Sequence, residues 1–159
     1  MARLENENQF IKGVWAGLIA NIIMYFFVEI FRWVGLTEYG VSYLAGDTVF
    51  TFKNDFGMNL IAFMIHSGVG MFWGIIFAFL FTKVFSGDYY LLKTIFGGFC
   101  IFFFHLGFLD EAFHYTRKIH ERTGDLLVIL GGYIIYGILV GVILKKQGII
   151  RGIGDEYKK

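Results

Sequence analysis

The chain has 159 residues, 57% hydrophobic and only 17% charged, with a net charge of +1. A water-soluble domain carries about 25% charged residues, so this chain has too little charge to coat a folded surface in water. Proline is absent and there is one cysteine, which excludes a Pro-rich linker and a disulfide scaffold. The near-neutral balance supplies no basic field for nucleic acid.

Taken in chain order, four windows are long and apolar enough to cross the hydrocarbon core of a bilayer: 14–34, 58–81, 91–109 and 126–144. A spanning segment must satisfy its backbone groups internally, so each is predicted to be a helix. The expected fold is therefore an all-α integral membrane protein, with residues 1–159 forming a single four-helix transmembrane domain. The first window is interrupted by Asn21 and Glu29 and is followed by no small-x-small cleavage site, so it reads as a retained span. Cys100 stands alone inside the third span and reads as a small apolar filler in the interior.

Lysine and arginine are divided unequally between the two ends. The N-terminus, the 82–93 connection and the C-terminal tail carry nine: Arg3, Lys12, Lys83, Lys93, Lys145, Lys146, Arg151, Lys158 and Lys159. The opposite end carries five, namely Arg32, Lys53, Arg117, Lys118 and Arg122. The positive-inside rule then places both termini in the cytoplasm of a bacterial-type inner membrane, with 35–56 and 110–125 facing outward.

The two halves resemble each other. FIKGVWAGLIANIIMYFFVEIF (10–31) aligns without gaps on 91–112, pairing Lys12 with Lys93, Gly17 with Gly98 and Glu29 with Asp110. WGIIFAFLFTK (73–83) aligns on YGILVGVILKK (136–146), pairing Gly74 with Gly137 and Lys83 with Lys146. The expectation is two tandem helical hairpins related by a pseudo-twofold axis along the membrane normal. Gly13/Gly17, Gly70/Gly74 and Gly137/Gly141 are spaced four apart, with Gly97 and Gly98 in the third span. Such small-residue faces let helices approach closely, within one chain or between copies in a homo-oligomer.

Polar groups inside apolar spans carry whatever function is visible. Glu29, Arg32, His66, His105, Asp110, Glu111 and His114 all fall toward the outer half. Each also has a plain structural role available. Glu29 and Arg32, three apart, make an internal ion pair; His66 and His105 are neutral histidines bonded to neighbouring helices; 110–121 is a solvated loop. The sharper readings are three. His66 and His105 from facing helices have the geometry of axial ligands to a haem b, or of two ligands of a looser metal site. Glu29, Asp110 and the histidines suit proton or cation handling. Glu111-x-x-His114 matches half of a di-iron motif, but a second copy is absent from the sequence. No nucleophile–base pair, phosphate-binding glycine loop or zinc-protease motif is present, so an enzyme is unsupported and no cofactor is expected.

The segment from His66 through WGIIFAFLFTKVF and LLKTIFGG to His105, preceded by GVWAGLIA and WVGLT, resembles the YagU-type small inner-membrane proteins of bacteria. The resemblance covers most of the chain and implies four spans with a histidine in the second and third. Gly131–Gly132 stands where a further histidine is common in that family, and 110–125 is more charged. The resemblance implies no catalytic residues. The leading expectation is a non-enzymatic membrane protein with an ion- or proton-linked transport, channel or stress-related role. A haem- or metal-binding redox subunit and a structural assembly partner are the alternatives.

Overall fold

The computed structural model describes residues 2–47, 55–109 and 122–151, and the described residues are helical apart from their connections. The elements are α1 (Ala2–Trp33), a short α2 (Val41–Asp47), α3 (Phe56–Lys83), α4 (Tyr90–Phe103) continuing as a π turn (Phe104–Leu109), and α5 (Thr123–Lys146). Four helical stretches are long and apolar enough to cross a membrane: Glu7–Trp33, Phe56–Lys83, Tyr90–Phe108 and Thr123–Lys146. They overlap the four windows read from the sequence, starting earlier at every N-terminal end and stopping one residue short at 33 and at 108.

Helix ends are closed by local chemistry. Asp55 caps α3, its side chain accepting the Met58 N–H at 2.9 Å, which satisfies one of the free amides of the first turn. α1 and α5 both end in the same glycine device. Gly35 (φ +79°) and Gly148 (φ +71°) take the left-handed conformation. The following amides, Leu36 and Ile149, then bond back to the Phe31 and Leu144 carbonyls, each at 3.0 Å. This closure consumes carbonyls left over at the helix end. After Gly148 the chain folds back and buries Ile149 and Ile150 in the core.

The core is built from residues about four apart. Ala16, Ala20, Met24 and Val28 of α1 are buried together with Asn21, and Ile129, Tyr133, Tyr136, Val140 and Leu144 do the same on α5. The opposite faces are apolar and exposed, with Trp15, Ile19, Phe26 and Ile30 on α1 and Phe72, Phe96 and Phe103 elsewhere. Apolar residues on both faces mark helices with no polar side to turn to water. Cys100 belongs to this outer surface. It is not the interior filler expected, because the rotation of the third helix directs Gly98, Ile101 and Phe102 inward instead.

Glycines define the tight seams, and all are filled within the chain. A Cβ at Gly17 would lie 2.3 Å from the Gly70 carbonyl oxygen, and one at Gly74 would lie 2.3 Å from that of Gly13. On the other side, a Cβ at Gly98 would lie 2.4 Å from the Tyr133 carbonyl oxygen and one at Gly137 would lie 2.3 Å from that of Thr94. Gly141 meets the Thr94 side chain as Gly13 meets Ala78. In both seams backbone packs on backbone, which is what a small-residue face permits. Thus α1 packs on α3, α4 on α5, and α1 also packs along α5. α3 and α4 make no comparable backbone approach. Gly97, grouped with Gly98 by sequence, works differently: the Phe77 ring of α3 lies against it, bridging the wider gap.

Candidate functional site

In the middle of the bundle, Asn21 and Met24 of α1, His66, Gly70 and Trp73 of α3, His105 of the π turn, and Tyr133 and Tyr136 of α5 line one small cavity of about 10 Å³. That is room for about one water molecule. His66, Gly70 and Trp73 share a face of α3 because they are four and three residues apart. Gly70 is where three helices meet. A Cβ there would fall 2.6 Å from the Asn21 side chain, and the Gly70 carbonyl accepts the Tyr136 hydroxyl at 2.6 Å.

His105 is held from two sides. The Trp73 indole N–H donates to its Nε2 at 3.3 Å, and its Nδ1 lies 2.7 Å from the Tyr133 hydroxyl oxygen. An indole nitrogen can only donate, so Nε2 is the acceptor and, in a neutral ring, Nδ1 carries the hydrogen and donates to Tyr133. Phe104 adds an aromatic wall against Trp73, ring centroids 5.9 Å apart. The π turn that carries His105 is a departure from the uninterrupted α-helix expected through 109. Such single turns recur at functional sites in helices.

His66 is in a different state. It is buried, and its Nε2 has no hydrogen-bond partner; nor do Asn21 Nδ2 and the Ser67 hydroxyl. Buried polar atoms are normally paired, and leaving one unpaired costs about 1–3 kcal/mol. His66 and Ser67 are adjacent on α3 and Asn21 comes from α1; the other unpaired buried side-chain atoms among the described residues are Glu29 Oε1, Asp125 Oδ2 and Gln147 Oε1.

The outer end holds a second set. Glu29 and Arg32 form the ion pair foreseen from their spacing, Arg32 Nη1 to Glu29 Oε2 at 3.2 Å. Glu29 packs against Gly40, where a Cβ would sit 2.2 Å from its Oε1. Sequence reasoning missed Asp125, which is fully buried in the first turn of α5. Its Oδ1 accepts the Glu38 N–H at 2.7 Å and the Thr37 hydroxyl, pinning the turn after α1 onto the start of α5. Arg122 pairs with Glu38 and lies 3.9 Å from Asp125 Oδ2. The signal available was an acidic residue in a first helical turn, hidden by its place at the edge of a charged segment. Asp110, Glu111 and His114 lie outside the described residues, so the structure joins His66 to His105 and Glu29 to Arg32 and goes no further.

Among the described residues no three histidine, cysteine or acidic side chains gather as metal ligands. A cavity with room for about one water does not fit a porphyrin, and both nitrogens of His105 are already engaged. Comparison with family models, with curated proteins and with solved structures finds no match.

Proposed function

We propose that the chain is a non-enzymatic integral protein of a bacterial-type inner membrane, both termini cytoplasmic, in which the His66–His105 site relays protons in ion-linked transport. The observation that carries this reading is the unpaired His66 Nε2 and Asn21 Nδ2 on residues that line one water-sized cavity with His105. A purely structural polar cluster would be closed by mutual hydrogen bonds. Here one histidine is closed and its neighbour is open. One water in the cavity would partner His66 Nε2 and Asn21 Nδ2, and His105 lines the same cavity.

The chemistry follows from the tautomer. Histidine takes and gives protons near neutral pH in an unperturbed setting. A proton delivered to His105 Nε2 meets the Trp73 N–H, two donors face each other, and that bond must break. Uptake at His105 is therefore coupled to a movement of Trp73, whereas His66 can accept a proton or a water hydrogen without losing a protein partner.

Membrane embedding is supported by the four apolar helices and by their exposed apolar faces; orientation rests on the lysine and arginine division. The matching glycine seams support duplication of a two-helix hairpin, since Gly17 over Gly70 and Gly98 over Tyr133 occupy aligned positions in the two halves. The similarity of the His66–His105 segment to YagU-type proteins favours placing the chain with that family.

The test is proton flux into liposomes carrying the purified protein, followed with an internal pH-sensitive dye. The wild type is expected to exceed empty liposomes, and His66→Ala and His105→Ala to fall to the empty-liposome rate. A wild type indistinguishable from empty liposomes, or both variants matching the wild type, overturns the relay.

A further inference from the structure

At the end of the bundle opposite Asp125, where α1 begins and α3 and α5 finish, lies a cleft of about 280 Å³. Its floor is apolar, formed by the buried Phe81 and Ile149. Its walls are polar: Asn8, Gln9 and Lys12 from α1, Thr82 from α3, and Arg151 after the Gly148 turn. No carboxylate is among the residues that line it. The Lys12 ammonium donates to the Gln147 carbonyl at 2.8 Å, which seats it against α5 and leaves two further N–H donors. Arg151 Nε lies 3.4 Å from the Gly148 carbonyl, leaving the paired terminal nitrogens of its guanidinium for a ligand.

We infer that this cleft binds a phosphate group, with Lys12 and Arg151 as its cationic jaws and Asn8 and Gln9 donating from α1. Two cations held by backbone carbonyls, with amide donors and no carboxylate in the described lining, select an anion. A guanidinium reads two phosphate oxygens at once and an ammonium adds a point charge. The apolar floor beneath the polar rim suits a phosphodiester whose remaining chain is apolar. Basic pockets between helices on the cytoplasmic side hold anionic lipid headgroups in this manner. The inference rests on the membrane reading above but not on the proton relay. A soluble phosphate compound shares the same chemistry, and the experiment separates the two sources.

Purified protein in a zwitterionic detergent is titrated with phosphatidylglycerol, with phosphatidylcholine and, separately, with inorganic phosphate, and bound species are counted by native mass spectrometry. One phosphatidylglycerol per chain, retained in preference to phosphatidylcholine, identifies a lipid headgroup. Saturable inorganic phosphate without that preference identifies a soluble ligand. Lys12→Gln and Arg151→Gln are each expected to weaken the bound species about fivefold, while Lys83→Gln, outside the cleft lining, leaves it unchanged. Thermal melting of each variant establishes folding, and Lys12→Arg, which keeps the charge, restores binding if folding is intact. Equal retention of both lipids with no phosphate bound overturns the inference, as does a loss shared by Lys83→Gln. Resistance of the protein to alkaline extraction from membranes is scored separately, so a failure of the membrane reading is seen apart from a failure of the cleft.

Discussion

Asp125 shows how much one side chain can organise. It is wholly buried and joins two segments 87 residues apart through the Glu38 amide and the Thr37 hydroxyl. Replacing it with alanine leaves the part-buried Glu38 N–H without an acceptor and the Thr37 hydroxyl with the Tyr39 carbonyl alone. A hydrogen bond to a charged group contributes about 1.5–3 kcal/mol, and an orphaned partner costs a similar amount. Asp125→Ala is therefore expected to lower the melting temperature in detergent by several degrees, with Asp125→Asn between it and the wild type because an amide oxygen still accepts. Equal melting of all three would remove Asp125 from this role. The Arg122–Glu38 pair beside it is half exposed and contributes far less. None of this was legible in the sequence, where Asp125 stands one residue before an apolar run and its partners are remote. His66 and His105 were legible, because an ionisable group inside twenty apolar residues is conspicuous. Their different states were not, since these depend on Trp73 and Tyr133 arriving from other helices.

At the scale of the helix, glycine position decides which faces meet. Small residues four apart were readable as packing faces, and α1 against α3 and α4 against α5 use them so. What spacing could not tell was which glycine meets backbone and which meets a ring, as Gly98 and Gly97 demonstrate, or that Gly68 meets nothing within 4 Å. Gly17→Leu forces α1 from the Gly70 carbonyl, and overpacking of this kind costs about 1–3 kcal/mol. The expected result is a clear loss of thermal stability in detergent, matched by Gly98→Leu in the second seam. Gly68→Ala is expected to melt with the wild type. A Gly17→Leu protein as stable as Gly68→Ala would mean the seam does not exist as described. The π turn was likewise invisible, because periodicity over six residues cannot separate it from an ordinary helical turn.

At the scale of the molecule, the apolar exterior and the unequal cationic ends make a prediction about position in a bilayer. Cys100 lies on the outer surface near the middle of the third spanning helix. It is expected to resist a membrane-impermeant maleimide in both right-side-out and inverted vesicles, and to react after detergent denaturation. A cysteine replacing Lys159 in a Cys100→Ser background is expected to react only in inverted vesicles. Labelling of Cys100 in intact vesicles would oppose embedding, and labelling of position 159 from outside would reverse the orientation.

The uneven spacing of the four helices has a mechanical consequence. Two of the four neighbouring pairs, α1–α3 and α4–α5, are zipped backbone to backbone, so separating them exposes carbonyls seated over glycine, and α1 packs on α5 through the Met24 and Val28 side chains against Gly132. The fourth, α3 beside α4, is spanned by the Phe77 ring against Gly97 and by the Trp73–His105 bond. The bundle is thus a clasp with a single weak edge, and the small cavity shared by His66 and His105 lies behind it. Parting that edge separates the Trp73–His105 bond, the Trp73–Phe104 ring contact and the Phe77–Gly97 contact, and leaves the backbone seams α1–α3 and α4–α5 untouched.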